Sequence, residues 1–422
     1  TYWDRHSGHE FEARRELIDE FNLSQDEIYV RTLPIGVRIE KLLTATAGGA
    51  PPDVCSLENT VLAQLAPQGC FLPIESLMEE SDVFDEDRFF PHVWKMVAFD
   101  EHVWGLPTTT DAFCLLWNKD AFRRAGLDPE QPPRTLRELE DFAARLTVRN
   151  ADGGIDQIGF LPWAPWDLTF MWGGLFGGQW LDESTGRATC GDDPAIIASL
   201  AWQQSFSIDP KLKEQLPFAI DPEKLGSFRS LGEYMSANNP FYSGKVAMIT
   251  EGEWQVTFIE KYAPNLDWGA APIPQPEGVS PRAYAPTCVV DAIPTGTAHL
   301  KEAWTFLKWF YSPRPDGRPS PVSDYCAMIH NIATRRDEAL QDRFVDNPKF
   351  KVFIDGLLER EAVYVATTPV AQFMLDDIER TREYITFREV TPEAGAKEIQ
   401  ARANAELDRI NLLIQTYKES GS

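Results

Sequence analysis

Strand and helix alternate over the first hundred residues, and this order restricts the fold more than any other feature of the chain. Trp3 opens a short strand. His9 to Asn22 carries Phe11, Leu17, Ile18 and Phe21 on one face at helical spacing. Ile28 to Leu33 reads as a strand. Ile35 to Thr46 reads as a helix with Leu42, Leu43 and Thr46 aligned, stopped by Gly48 and Gly49. Pro52 to Leu57 is a short buried strand, and Thr60 to Pro67 a further helix. A βαβαβα order predicts an α/β fold, with a mainly parallel sheet flanked by helices. Ligands of such sheets sit in the crevice beyond the carboxyl ends of the strands. The short connections Asp4–Gly8 and Glu58–Asn59 fall there.

A chain of 422 residues is long enough for two or three domains and for a large core without staples. Its net charge of −25 repels nucleic acid and anionic membrane surfaces, which excludes both as partners. No apolar run approaches the ~18 residues of a membrane span, and Thr1 leads directly into the first strand without a leader-type stretch. Thirteen Trp exceed what packing asks for and suggest stacking surfaces. The six Cys (Cys55, Cys70, Cys114, Cys190, Cys288 and Cys326) include no C-x-x-C pair. They read as small buried hydrophobes, with a Cys55–Cys70 disulfide open only in an oxidising compartment.

A second region begins with the strand Phe113 to Trp117, followed by a helix from Asn118 to Ala125 closed by Gly126. Thr135 and Glu138 have capping-box spacing ahead of a helix whose apolar face is Leu136, Leu139, Phe142, Ala143 and Leu146. From Phe160 to Trp180, aromatics alternate with paired glycines, a composition that argues against a regular core helix. Pro240 to Glu253 reads as a helix end followed by a strand, and Pro272 to Pro286 as a connector. Leu300 to Tyr311 and Ala394 to Tyr417 are amphipathic helices.

The order and wording of several segments resemble the maltose-binding-protein-like solute-binding proteins, the large sugar-type branch that feeds ABC importers. The segments are Ala47–Val54, Leu65–Ile74, Gly105–Pro107, Leu116–Leu127, Pro133–Leu139, Gly244–Met248 with Gly252–Trp254, and Pro272–Pro274; beyond residue 310 the match thins to Asn331–Arg336 and the last helix. The resemblance implies a two-lobe periplasmic-binding-protein-like fold with a hinge. It places the hinge crossings near Thr110–Phe113, Tyr284–Cys288 and Met328–Arg335, so that residues 1–111 plus 286–330 form one lobe and 112–285 plus 331–422 the other. It also implies a monomer without catalytic residues, metal or cofactor, located in the periplasm or at the outer face of the cytoplasmic membrane, free or lipid-anchored. Its partners would be a sugar or oligosaccharide and the permease subunits of an importer.

A sugar offers weakly apolar C–H faces to aromatic rings and hydroxyls to fixed donors and acceptors, so a site for it mixes indoles with carboxylates and amides. On that basis Trp254 is the first candidate, since it follows the strand Ala247–Thr250 where the family places a stacking aromatic. Trp163, Trp166, Trp172 and Trp3 are further stacking candidates. Asp111 at the first crossing, Glu58 and Asn59 after the third strand, Asp167, Glu251 and the basic Arg335 are the polar ones. Within the fold, a glycerophosphodiester or another polar metabolite is an alternative ligand. An anion would want a cluster of cations, for which only Arg5 and Arg335 offer themselves. The rival from another class is a glycoside hydrolase using Glu251 and Glu253 as paired carboxylates. G-x-S-x-G, H-E-x-x-H, phosphate-loop and dinucleotide patterns are all missing from the sequence.

Overall fold

The structure, a computed structural model, describes residues 1–422 apart from 37–38, 80–81, 152–153, 164–165, 167, 226–236 and 421–422. Two sheets organise it. Their strands, in chain order, are β1 (Tyr2–Asp4), β2 (Thr32–Pro34), β3 (Val54–Glu58), β4 (Leu106–Thr110), β5 (Phe113–Asn118), β6 (Met248–Gly252), β7 (Trp268–Ala271), β8 (Arg282–Tyr284), β9 (Cys288–Ala292), β10 (Ile332–Ala333) and β11 (Glu361–Val363). The first lobe's sheet has the order β10-β4-β9-β3-β1-β2. The second lobe's sheet runs β6-β5-β8-β11, with β7 also pairing with β5.

The opening βαβαβα unit forms as its periodicity predicts. Strand β1 pairs in parallel with both β2 and β3. Helix α1 (Gly8–Ser24) buries Ala13, Leu17, Ile18 and Phe21, while Phe11 stays half-exposed. Helix α2 (Ile39–Ala47) and helix α3 (Asn59–Leu65) complete the unit. Sheet pairing is more mixed than the expected mainly parallel pattern. Strand β9 is antiparallel to β3 and β4, and in the second sheet β6, β7 and β8 all run antiparallel to β5. The reason is connectivity: strands that return from the other lobe enter without the helical crossover that a parallel neighbour needs.

The chain passes between lobes where one strand hands over to the next. Strand β4 ends at Thr110 in one sheet, and β5 starts at Phe113 in the other. Strand β8 ends at Tyr284, and β9 starts at Cys288. The third passage departs from expectation. Ile332 and Ala333, assigned to the second lobe by sequence, pair with Thr110 and Thr109 and so extend the first sheet. Phe90 N–H also bonds Thr334 O at 3.1 Å, so the first lobe holds the chain past residue 330. Only from the helix Pro348–Glu359 does it pack on the second sheet.

Local rules hold elsewhere. The Thr135 hydroxyl accepts from Glu138 N–H at 3.1 Å, and the Glu138 carboxylate accepts from Arg134 N–H at 2.7 Å, one residue before the expected partner. The glycine-aromatic stretch overturns its expectation. Residues Thr169–Leu175 form a helix buried along its whole length. Gly173 and Gly174 permit it, because a Cβ there would meet the Trp180 indole at 2.4 Å and Val363 at 2.3 Å. Those glycines are close-packing positions rather than breakers. Residues 282–284 of the expected connector are strand β8. All six cysteines are free thiols, five of them buried, so Cys55 and Cys70 are not bridged. Among the described residues, no helix is long and apolar enough to cross a membrane.

Candidate ligand site between the lobes

Strands β1, β3 and β4 all run the same way, and their carboxyl ends carry Asp4, Glu58 and the Thr110–Asp111 step. That edge faces the region where the chain crosses to the second lobe. Arg5, just beyond β1, forms an ion pair with Glu58 at the end of β3. His6 N–H donates to Asp4 at 2.9 Å. Across the lobes, α3 packs against helix α4 (Ala371–Thr386).

Asp111 sits at the first crossing and joins it to the second. Its N–H donates to Thr287 O at 3.3 Å, and its carboxylate accepts from the Thr287 hydroxyl at 2.9 Å. The third crossing arrives through Asn331, whose amide donates to Asp111 at 3.4 Å and to Glu253 at 3.0 Å. Glu253 also accepts from Ala112 N–H at 2.9 Å. One buried amide thus bridges two carboxyl groups where all three crossings meet. Burial pushes Asp111 up to about 6, with the Glu58 charge adding and the Thr287 bond opposing. Burial, and then the Asp111 charge, push Glu253 up as well. These two acids are hinge groups on the first-lobe side of the second sheet.

The aromatic wall comes from the second lobe. Strand β6 ends beside the start of β5, with Gly252 opposite Phe113, which delivers Trp254 to the hinge. Gly252 is required there, since a Cβ would lie 2.3 Å from the Trp254 ring. The Trp254 indole stands edge-to-face on Phe113, at 5.4 Å and 89°, and on Trp166, at 5.8 Å and 84°. Trp254 is 8% exposed, whereas Trp166 is 37% exposed and forms the open side of the pair. Trp166 Nε1–H donates to Glu251 Oε2 at 2.6 Å. Glu251 also accepts from Gln255 Nε2–H at 2.8 Å, and Tyr242 O–H donates to Gln255 at 2.6 Å. Burial pushes the Glu251 carboxyl up to about 8, against these donors.

The remaining candidates separate. Trp163 is nearly buried, with the Arg382 guanidinium 5.8 Å from its ring. Trp3 is half-buried against the core. Three of the candidates lie in buried surroundings. Trp172 has no exposed surface; its Nε1–H donates to Pro162 O at 2.6 Å, and its ring packs 4.6 Å from Trp202. It is a core residue of the close-packed helix. Asn59 is buried, and its side chain accepts from Cys288 N–H at 3.1 Å, pinning β9 beside α3. Arg335 is buried in an ion pair with Glu338, whose carboxylate also takes the Ser320 hydroxyl, so its charge is spent inside the first lobe. Asp167 lies outside the described residues. Sequence reasoning did not single out Thr287, Asn331 or Gln255. Their only signal was position: two lie at the crossings and one lies next to Trp254.

Glu251 and Glu253 are both almost fully buried and engaged by separate sets of protein donors, the first by Trp166 and Gln255, the second by Ala112 and Asn331. They do not face each other across open space as an acid–nucleophile pair would. Among the described residues, no group of His, Cys, Asp and Glu is arranged to hold a metal ion.

Comparison with known proteins agrees with this architecture. A family model described as bacterial extracellular solute-binding protein matches residues 7–316. The sn-glycerol-3-phosphate-binding periplasmic protein UgpB of Escherichia coli K12 is 26% identical over 235 residues, covering 55% of this chain and 50% of UgpB. The match thus spans about half the length of such curated relatives. Among solved structures, CpMnBP1 with mannotriose bound superposes with a TM-score of 0.80 at 28% identity, covering 95% of this chain and 98% of that one. The sugar-binding protein MalE from Xanthomonas citri gives a TM-score of 0.76 at 21% identity, covering 98% of both chains, which speaks for the fold alone.

Proposed function

The chain belongs to the bacterial extracellular solute-binding protein family, and from that premise we propose that it captures a neutral sugar or oligosaccharide between its lobes and delivers it to an ABC importer outside the cytoplasm. The observation that carries this reading is the pairing of two unlike walls. One is the strand-end edge with Asp111 and the Arg5–Glu58 pair; the other is the Trp166–Trp254 indole corner. Indole faces suit sugar C–H surfaces, and carboxylates and guanidinium suit hydroxyls. The proposed partners are the permease subunits of the importer, and the proposed state is a monomer.

A second reading, an anionic glycerol phosphate, draws on the half-length match to UgpB. The cations weigh against it. Each cation already has a carboxylate partner, Glu58 for Arg5 and Glu338 for Arg335, so neither offers an uncompensated positive charge to a phosphate. For a glycosidase, Glu251 and Glu253 would first have to leave their donors.

Titration of intrinsic tryptophan fluorescence with mannobiose, mannotriose and maltotriose tests the proposal, with sugar products followed in the same samples. The expected result is a saturable change with at least one of them and no hydrolysis. Release of shorter sugars at enzymatic rates would replace transport with catalysis.

A further inference from the structure

Glu251 is an ionisable group that the sequence suggests for direct ligand contact, yet its surroundings point elsewhere. It lies inside β6, opposite Cys114, with 1% of its surface exposed. Both carboxylate oxygens already accept from protein donors: Oε2 from Trp166 Nε1–H at 2.6 Å and Gly252 N–H at 3.2 Å, Oε1 from Gln255 Nε2–H at 2.8 Å. Gln255 is itself held by the Tyr242 hydroxyl at 2.6 Å. The chain Tyr242–Gln255–Glu251 therefore ends on the one polar atom of the Trp166 indole. Trp166 belongs to no regular element and is more than a third exposed, so without an anchor its ring would sample several rotamers. With the anchor, the ring stands at 84° to Trp254 while more than a third of the residue stays exposed.

We propose that Glu251 is a positioning residue for the ligand: it fixes the plane of the Trp166 indole against Trp254 and acts on the sugar only through that ring. The inference rests on the sugar-binding reading above. Fixing a stacking platform in the free protein removes ordering entropy from the binding step, and a group buried behind the platform can supply that without touching the guest.

The test combines a spectroscopic signature with a double-mutant cycle, using mannotriose as probe. In the ligand-free protein, the Trp166 indole N–H resonance, assigned by its loss in Trp166→Phe, is expected downfield among the indole signals. In Glu251→Leu it should move upfield toward a water-exposed indole, while Glu251→Gln, which keeps an acceptor oxygen, should leave it near its original position. Glu251→Leu is expected to weaken mannotriose binding by about tenfold, the loss associated with about one ordinary hydrogen bond. Glu251→Gln should restore most of that affinity. Trp166→Ala combined with Glu251→Leu should bind no more weakly than Trp166→Ala alone. Additive losses in the double variant would overturn the proposal in favour of direct contact, and so would an indole resonance indifferent to Glu251→Leu. If Glu251→Leu does not fold, the glutamine variant decides: a displaced resonance with wild-type affinity contradicts the proposal, and a retained resonance with retained affinity supports it. If the wild-type protein binds none of mannobiose, mannotriose and maltotriose, the sugar reading fails, and the indole resonance still reports whether Glu251 anchors Trp166.

Discussion

Trp254→Ala is expected to weaken sugar binding by about thirtyfold or more, roughly the ~2 kcal/mol or greater loss that a buried Trp anchor gives on truncation. It should also lower folding stability by about 3–5 kcal/mol, the usual range for removing a buried aromatic. Both effects follow from one geometry. The indole is only 8% exposed and is held edge-on by Phe113 and Trp166, so removing it opens a cavity behind the platform as well as taking away a wall of the site. Trp254→Phe should fall between the two, because a phenyl ring keeps part of the contact with Phe113. Urea unfolding and calorimetric titration of the same preparations separate the two losses. Unchanged affinity in a folded Trp254→Ala protein would take the residue out of the site.

Arg14→Met is expected to cost about 3–5 kcal/mol of stability, the range for breaking a buried ion pair from one side. Arg14 is completely buried in α1, yet it carries a charge. Its Nε lies 3.2 Å from Asp4, its Nη1 lies 3.3 Å from Asp291, and Nη1–H also donates to the Tyr2 hydroxyl at 2.5 Å. The guanidinium lies 4.2 Å from the centre of the Tyr325 ring. Burial works against ionisation of Asp4, but Arg14 and His6 outweigh it and hold this carboxyl below its usual range. Without the guanidinium, two buried carboxylates would remain, one of them at the end of β1 directly before Arg5. The first lobe should then unfold at lower urea, and the strand-end wall of the site should loosen with it. Arg14→Lys, which keeps the charge without the fork, should lose less. A loss under about 1 kcal/mol in Arg14→Met would mean the network is not needed to hold the lobe together.

What the sequence disclosed depended on how local the cause was. Periodicity found α1, and the helix Leu300–Tyr311 has the bounds expected for it, since both are decided within a few turns. Arg14 was hidden because its partners are distant: Asp291 lies 277 residues away, and an Arg among charged neighbours such as Glu12, Arg15 and Glu16 looks solvated until they are known. Trp166 and Trp172 sit in the same glycine-aromatic stretch and differ in burial, which for Trp172 depends on Trp202 from elsewhere in the lobe. Glu251 and Glu253 read as one acid pair because their spacing is visible. Their destinations, a Trp side chain for one and the hinge backbone for the other, are properties of the tertiary fold. Asn59 and Arg335 were placed near the crossings, but sequence could not reveal their buried partners, the Cys288 N–H for one and Glu338 for the other.

A calorimetric titration of the full chain with mannotriose and with sn-glycerol 3-phosphate bears most directly on the claim that the lobes close on a neutral guest. The account predicts one mannotriose bound per chain with a negative heat-capacity change from the buried indole surface, and binding of the phosphate at least about a hundredfold weaker. Tight binding of the phosphate with none of the sugar would contradict it.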